Sequence, residues 1–260
     1  MATVLYHGEP NGPSLTVLAA LAETGVAAEL RPIDLARGER HSAGVPRNVE
    51  VEMSVEGEGP VLVVDGEAMA DSVFIACYFD DMRQGAAIRP ADPLLRWEMM
   101  AWCRFVVERI APAAAFLGTR AHLADKLAAM PDAEFAALYG AIACDDLRGR
   151  WEAVRAGALA DACIAESAGK IVEGVRRVEA KLADGRDWLI CTFAIADLET
   201  YAWLAGMVEL VPQAFADVPN ANAWMARVAA RPSVTAALAR ARIGDPRNSW
   251  APGPEINRWG

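Results

Sequence analysis

Two polar side chains lie near the start of the chain, where they could contact a ligand. Ser14 follows a Gly- and Pro-rich turn, 8–13, at the start of a predicted helix, and Asn11 lies within that turn. A hydroxyl and the free backbone N–H groups of a helix N-terminus can donate hydrogen bonds to a negatively charged atom. Structural roles are the alternatives, because serine commonly caps helices and asparagine commonly stabilises turns.

Further candidate positions surround a predicted hairpin. Pro60 precedes the apolar run Val61–Val64, and a proline at the first residue of a strand removes no ladder hydrogen bond. Asp71 and Ser72 begin the next predicted helix, where backbone N–H groups and the Ser72 hydroxyl could hold a carboxylate. Ordinary helix capping is compatible with that role.

The composition excludes several classes of protein. The 260 residues are 54% hydrophobic and 23% charged, which is typical of a compact globular protein and not of a disordered chain. The formal net charge of −10, without any basic run that contains aromatic residues, argues against nucleic acid as a partner. The apolar stretches are too short for a bilayer span and the first residues do not resemble a signal peptide, so we expect a cytoplasmic protein.

Cysteine and histidine spacing gives no indication of a metal site. No Cys-x-x-Cys pair occurs, which argues against structural zinc, and the odd cysteine count suits a reducing compartment. The three histidines are far apart along the chain, so we expect no metal. The five cysteines are Cys77, Cys103, Cys144, Cys163 and Cys191.

The first half of the chain alternates strand and helix patterns. A short β-type run, 3–6, precedes a helix with Leu15 and Leu18 on one face, and a second extended segment follows at about 28–33. After a long polar connection, two runs flank an Asp65-Gly66 hairpin turn, and a helix over 72–82 closes this half.

The second half is predicted to be entirely helical. It opens at Asp92-Pro93, where the aspartate can cap the first turn. One long amphipathic helix carries its apolar stripe at Ile171, Val175, Val178 and Leu182. Further helices are predicted at 197–210 and 220–230, before a Pro- and Gly-rich tail from residue 244.

This order of elements describes an α/β thioredoxin-like domain over 1–84, a linker over 85–93 and an all-α domain over 94–260. The chain resembles the cytosolic glutathione transferases, since GPVLVVDG at 59–66 and ADSVFI at 70–75 look like that family's glutathione-binding hairpin and helix start. Within the family it is most similar to the bacterial β-etherases, which cleave lignin-derived β-aryl ethers. The similar segments are Ser14-Leu15, His41-Ser42, 89–93 and 224–234.

The resemblance implies that glutathione is the cosubstrate and that a residue of the first turn contacts its thiol. A free thiol titrates near about 8.5, so an enzyme must stabilise the thiolate. Ser14 is the first candidate for this catalytic role and Asn11 the second. The resemblance also implies a cis peptide at Pro60, which would expose the backbone next to Val61 for pairing with the glutathione cysteine.

The remaining glutathione contacts also come from the resemblance. Asp71 would pair with the ammonium of the γ-glutamyl group, and Ser72 would hold its carboxylate. Gly59 belongs to the same hairpin. His41 resembles a histidine near the glycine end of glutathione, although a lone histidine in a loop is usually just solvated.

The family's electrophile pocket lies between the first turn and the first long helix of the helical half. Trp102, Phe105, Arg109 and Phe116 could supply aromatic walls and a charge for a phenolic substrate. The alternative is that these side chains belong to the core.

Two departures from the family pattern affect the expected site. Where relatives carry Gln-Val-Pro, this chain has Glu58-Gly59-Pro60, preceded by Glu50, Glu52 and Glu56. Glutathione is anionic, so each exposed carboxylate nearby would weaken its binding by up to about 1 kcal/mol, and glycine adds conformational freedom. In Ala194-Ile195-Ala196-Asp197 an alanine replaces the Ser or Thr of a capping box, at a cost of roughly 0.5–2 kcal/mol unless the helix begins at Thr192.

The sequence leaves three functions open. The leading hypothesis is an enzyme in which glutathione thiolate attacks the β-carbon of an aryl ether and expels a phenolate. The second is a catalytically silent subunit that stabilises an active paralogue, and the third is a general detoxifying transferase or isomerase of the same fold. A homodimer or a heterodimer with a related subunit is expected.

Overall fold

A four-stranded mixed sheet forms the centre of the first half of the chain. The computed structural model describes residues 2–46 and 57–253. The sheet order is β2 (Glu29–Pro32), β1 (Thr3–His7), β3 (Val61–Val64) and β4 (Glu67–Met69). β1 is parallel to β2 and antiparallel to β3, and β3 is antiparallel to β4. This is the predicted thioredoxin-like arrangement.

Two helices pack against the sheet. Local residues account for the end of the first helix and for the hairpin turn that precedes the second. α1 (Pro13–Thr24) connects the parallel strands and ends at Gly25, whose left-handed conformation lets its N–H donate to the carbonyl of Leu21. α2 (Ser72–Asp81) follows the hairpin, whose turn residues Asp65 and Gly66 both have positive φ, at 49° and 96°. The predicted hairpin and helix are therefore confirmed.

The rest of the described chain is helical. Asp92 caps α3 by accepting hydrogen bonds from the N–H groups of Leu94 and Leu95, both at 2.9 Å, as its position before Pro93 predicts. The helices are α3 (Pro93–Phe105), α4 (Ala111–His122), α5 (Ala124–Ala128), α6 (Asp132–Ala141), α7 (Asp145–Arg155), α8 (Asp161–Lys181), α9 (Ile195–Leu204), α10 (Met207–Leu210), α11 (Pro219–Ala229) and α12 (Pro232–Leu238). Single turns of 3₁₀ helix lie at Leu35–Arg37, Glu39–His41, Pro212–Phe215 and Pro246–Asn248.

The structure differs from the predicted helices at two points. A π-helical turn, Val106–Ile110, joins α3 to α4 just before Pro112, which lacks the N–H that a regular helix would need there. The single helix predicted over 197–210 is two helices, α9 and α10. Gly206 lies between them, where an added Cβ would be 2.7 Å from the carbonyl oxygen of Arg247. The close approach of the C-terminal segment thus coincides with the break.

The long amphipathic helix is confirmed as α8. Its predicted apolar stripe, Ile171, Val175, Val178 and Leu182, is buried against the rest of the helical half. Among the described residues, none of the helices combines the length and apolar character needed to cross a bilayer.

α9 is buried over its entire length, although it contains two carboxyl groups. All ten residues from Ile195 to Leu204 are buried. The helix packs against α1 and α2 of the sheet half and against α3, α4 and α11 of the helical half. Its polar side chains therefore have to find their hydrogen-bond partners inside the protein.

Asp197 joins the start of α9 to two other segments. Its Oδ1 accepts hydrogen bonds from the N–H of Leu189 at 3.0 Å and from Nε1 of Trp224 at 2.8 Å. Its Oδ2 accepts from the N–H of Ala194 at 3.0 Å, which is the half of a capping box that an alanine N-cap can still make. Ala194 is the N-cap, as the resemblance to a capping box implies, and Thr192 is not. The helix begins at Ile195, two residues before the predicted start at Asp197.

Glu199 joins α9 to α2. Its Oε1 accepts a hydrogen bond from Nε1 of Trp203 at 2.8 Å, and its Oε2 accepts one from the Ser72 hydroxyl at 2.9 Å. Burial raises the pKa of Glu199 to about 7, against the lowering effect of these donors. Burial likewise raises the pKa of Asp197 to about 6.

We predict that Ala194→Ser stabilises the protein. The new hydroxyl can accept a hydrogen bond from the N–H of Asp197 and complete the capping box, which should add about 1 kcal/mol to the free energy of unfolding. For a chain of this size the melting temperature should rise by about 2–4 °C, measured by calorimetry. Ala196→Ser, which places a hydroxyl inside the same buried helix, is the control and should give no gain. An equal change in both variants would contradict the capping argument.

We also predict that stability falls as the pH rises through 6 and 7. Because folding raises the pKa of Asp197 and Glu199, their protonated forms are favoured in the native state, and the stability that this contributes is lost as the groups ionise. Glu199→Gln should therefore gain about 2–3 kcal/mol relative to the wild type between pH 5 and pH 8, measured by urea unfolding. Glu209→Gln, at an exposed position of α10, should follow the wild type. A constant difference between Glu199→Gln and the wild type would contradict the assignment.

Candidate functional site

A narrow crevice lies where the N-termini of α1 and α2 meet the segment before β3. Pro13 contributes from α1, Gly59 and Pro60 from the start of β3, and Asp71 and Ser72 from the start of α2. Four of the predicted glutathione-binding residues therefore lie in one place. In the sequence they form two short segments, Gly59-Pro60 before the hairpin and Asp71-Ser72 after it. The fold places the start of α1 beside both segments.

The helical half supplies the opposite wall of the crevice. Val107 comes from the π-helical turn, Glu199 and Trp203 come from α9, and Gly253 comes from the C-terminal segment. None of these four was predicted. Glu199 could have been noticed, because it is a charged residue inside the otherwise apolar sequence around Leu198 and Trp203.

Asp71 has a strained backbone and a half-buried carboxylate. Its φ of 70° lies in the left-handed region that non-glycine residues rarely adopt. Its Oδ1 accepts hydrogen bonds from the N–H groups of Val73 at 2.8 Å and Phe74 at 3.1 Å, which caps α2. Burial raises the pKa of Asp71, against the lowering effect of those two bonds. Capping and ammonium binding remain compatible for this carboxylate.

Ser72 directs its hydroxyl to Glu199. The side chain is buried, and its Oγ lies 2.9 Å from Oε2 of Glu199, which accepts the hydroxyl proton. The predicted carboxylate-binding residue is thus already hydrogen-bonded to a carboxyl group of the other half of the protein.

The predicted cis peptide at Pro60 is wrong, because the Gly59–Pro60 bond is trans. The preceding carbonyl is held in place by the buried side chain of Arg40, whose Nε donates a hydrogen bond to the Gly59 oxygen at 3.2 Å. Gly59 is buried and its φ is not positive, so its lack of a side chain is not required by backbone conformation. Val61 is fully buried and paired with Tyr6 of β1.

The acidic residues before Pro60, which are expected to weaken the binding of an anionic ligand, are described only in part. Glu50, Glu52 and Glu56 lie outside the described residues. Glu58 is described, and its Oε1 accepts a hydrogen bond from Nε1 of Trp151 in α7. His41 is buried at the end of a 3₁₀ turn and does not line the crevice.

Ser14 lies one residue inside α1 and its hydroxyl oxygen is an acceptor. The N–H of Gly8 donates to Ser14 Oγ at 3.0 Å, which ties the end of β1 to the helix start. Ser14 is buried, and its neighbour Pro13 lines the crevice. Because the bond from Gly8 uses a lone pair of the hydroxyl, its proton is still available for donation.

Asn11 is engaged by the C-terminal segment. Its Nδ2 donates to the carbonyl of Ser249 at 2.9 Å, and its Oδ1 accepts from the N–H of Gly12 at 3.0 Å. Trp250 of the same segment donates from Nε1 to Thr119 Oγ1 of α4 at 2.9 Å. The segment 245–253 therefore lies across the first turn and reaches the helical half on its other side.

The four residues predicted for the electrophile pocket are not brought to the crevice. Trp102 donates from Nε1 to Thr200 Oγ1 at 3.0 Å, and its ring meets that of Phe105 edge to face at 5.7 Å. Arg109 is exposed and lies 4.0 Å from Glu173 of α8, and Phe116 is half-buried on α4. Among the described residues, Val107 and Trp203 are the large side chains that line the crevice from the helical half.

A larger cavity lies elsewhere in the helical half. It has a volume of about 410 Å³ between α8 and the segment 213–218, with Arg176 and Asp217 in its wall. No residue predicted to bind or react lines it, so its size alone does not make it the candidate site.

The chain is similar to known proteins over most of its length. No protein-family model matches the chain. The curated Protein LigF of Sphingobium sp. (strain NBRC 103272 / SYK-6) is 28% identical over 244 residues, which cover 90% of this chain and 92% of LigF. The crystal structure of β-etherase LigF from Sphingobium sp. strain SYK-6 matches 93% of this chain and 100% of its own with a TM-score of 0.80 and 26% identity.

More distant solved structures share the fold. Poplar glutathione transferase F1 has a TM-score of 0.66 at 19% identity, covering 92% of this chain and 97% of its own. A glutathione S-transferase of Methylobacillus flagellatus with glutathione bound has a TM-score of 0.61 at 20% identity, covering 91% and 98%. Together with the match to LigF along nearly the whole chain, these structures agree with the sheet topology and the all-helical second half. Along nearly its whole length the chain is therefore similar to the glutathione transferases, and among them to the β-etherase LigF.

Proposed function

We propose that the protein is a glutathione-dependent transferase that cleaves β-aryl ethers of lignin-derived aromatic compounds. The observation that carries this proposal is the crevice in which Pro13, Gly59, Pro60, Asp71 and Ser72 converge. It offers helix N-termini to an anionic peptide. The similarity to LigF over 90% of the chain supports the choice of an aryl ether as the electrophile.

In the proposed complex the γ-glutamyl end of glutathione lies at the start of α2. The Ser72 hydroxyl and backbone N–H would hold the α-carboxylate, and the Asp71 carboxylate would face the ammonium. The cysteine sulfur would then lie toward the start of α1, where the helix dipole and the Ser14 hydroxyl favour the thiolate.

The reaction requires little acid or base chemistry. The thiolate attacks the β-carbon, a carbon–sulfur bond forms, and the carbon–oxygen bond to the aryl group breaks with the electron pair leaving on the phenolate. Orientation of the two reactants and stabilisation of the thiolate would supply most of the acceleration. Val107 and Trp203 line the crevice and would contact the aromatic part of the substrate.

A catalytically silent subunit is the second candidate. The hydrogen bond from Arg40 to the Gly59 carbonyl engages one backbone group of the crevice before any ligand binds. Exposed apolar side chains on α2 and α3, namely Phe74, Leu94 and Trp97, would suit association with a second subunit, either the same chain or a paralogue.

We predict that Ser14→Ala lowers turnover far more than stability. Loss of one donor to a thiolate should reduce the rate about 10²–10³-fold, whereas loss of the bond from Gly8 should cost about 1 kcal/mol of unfolding free energy. Steady-state kinetics with a β-aryl ether and a melting curve measure the two effects. Ser167→Ala, at a buried serine of α8, is the control and should keep its turnover. Unchanged activity with a lower melting temperature would make Ser14 structural.

Calorimetric titration with glutathione, followed by assay of a β-aryl ether, tests the function itself. We expect binding in the micromolar to millimolar range and formation of a glutathione thioether with release of a phenol. Binding without turnover of any aryl ether would favour a general transferase or isomerase. Absence of binding at millimolar glutathione would favour the silent subunit.

A further inference from the structure

The bond between Ser72 and Glu199 limits what the Ser72 hydroxyl can do for a ligand. A serine hydroxyl has one proton, and here that proton is donated to Glu199 Oε2 at 2.9 Å. Both oxygens of Glu199 are occupied, since Oε1 accepts from Trp203 at 2.8 Å. While Glu199 is ionised, the Ser72 hydroxyl is thus committed to it and can offer a ligand only its lone pairs.

A ligand carboxylate at Ser72 needs the opposite arrangement. It requires a donor, and a carboxylate that approaches an ionised Glu199 would also place two negative charges close together in a poorly solvated crevice. Both problems disappear if Glu199 is protonated. Its O–H can then donate to Ser72 Oγ, and the Ser72 hydroxyl proton becomes available to the ligand.

We propose that binding of the γ-glutamyl carboxylate at Ser72 is coupled to the uptake of one proton by Glu199, which makes Glu199 a positioning residue of the glutathione site. The inference rests on the proposed function, because it takes glutathione as the ligand. The proton comes from solvent and moves to the Glu199 carboxyl, and no covalent bond of the ligand changes.

The surroundings of Glu199 favour this coupling. Of the titratable groups that face it, Asp71 at the start of α2 raises its pKa further and Cys103 on α3 is a buried neutral thiol. On α1 the Thr16 hydroxyl acts in the opposite direction and lowers the pKa of Glu199, although less than burial raises it. The only carboxylate of α1, Glu23, pairs with Arg231 of the segment before α12. Asp197 on α9 itself is held by Leu189 and Trp224.

On α2, Asp80 is buried and pairs with Arg89. The other charged or titratable side chains on the elements around α9 are exposed or half-buried, and none of them is a cationic partner of the carboxylate among the described residues: Cys77, Tyr78, Asp81, Arg96, Glu98, Arg104, Glu108, Arg109, Arg120, His122, Glu209 and Arg227. The pKa of about 7 means that Glu199 is substantially ionised in the free protein near neutral pH. Uptake of a proton on binding therefore falls in the physiological range.

The experiment measures proton uptake by calorimetry with S-methylglutathione, whose blocked thiol cannot release a proton. Binding enthalpies at pH 7.5 in HEPES, imidazole and Tris, plotted against the ionisation enthalpy of the buffer, give the number of protons bound. The wild type should take up more than half a proton. Its dissociation constant should rise by up to tenfold per pH unit above pH 7.

Variants distinguish proton uptake by Glu199 from proton uptake by other titratable groups. Glu199→Gln carries an amide that can donate to Ser72 permanently, so it should bind S-methylglutathione with no proton uptake and with a dissociation constant that changes little between pH 6 and 8.5. Glu209→Gln, a matched change at the exposed position of α10, should take up protons as the wild type does. Ser72→Ala removes the hydroxyl and should bind more weakly and without uptake.

The possible outcomes are distinct. Binding by the wild type without proton uptake, or equal uptake by Glu199→Gln and the wild type, overturns the coupling and leaves the proposed function standing. Absence of S-methylglutathione binding in every variant overturns the proposed function and the coupling with it. If Glu199→Gln does not fold, the pH dependence of the wild-type dissociation constant decides, since a flat profile between pH 6 and 8.5 overturns the coupling.

Discussion

The burial of α9 is the constraint on which the rest of the structure depends. A helix with ten buried residues and two carboxyl groups is stable only if those groups find donors inside the protein, because an unsatisfied buried carboxyl costs several kcal/mol. Asp197 finds them in the segment before the helix and in α11, and Glu199 finds them in Trp203 and in Ser72 of the other half. The requirement that keeps the helix folded thus also fixes the start of α2 against the helical half.

Local signals were sufficient to predict most elements. The strand Val61–Val64, the Asp65-Gly66 turn and the cap at Asp92 depend on residues adjacent in sequence, and the structure agrees with each. The cis bond expected before Pro60 came from the family resemblance and not from the neighbouring residues, and the bond has the trans form that X-Pro peptides ordinarily adopt. The break between α9 and α10 coincides with the approach of Arg247, a residue that is distant in sequence.

Sequence patterns predict only the wall of the candidate site that the first half of the chain supplies. Asp71 and Ser72 follow a hairpin and begin a helix, so the pattern of residues indicates an anion-binding position. Glu199 and Ser72 are 127 positions apart in sequence, and the spacing of apolar residues along the chain does not predict a contact between such distant residues. The residues predicted for the substrate pocket show the same limit of sequence patterns. Trp102 and Phe105 are aromatic, as such a pocket requires, but their side chains pack toward α8 and α9.

The first turn is held by the last part of the described chain. Asn11 donates to Ser249 and Glu9 accepts from Arg242, contacts that span 238 and 233 positions. During synthesis the N-terminal sheet leaves the ribosome first, while Arg242 and Ser249 follow only after the whole helical half. A nascent chain therefore has an unsupported first turn until residues 242–249 have left the ribosome. Such long-range contacts also slow refolding, because the chain must close its largest loop before they form.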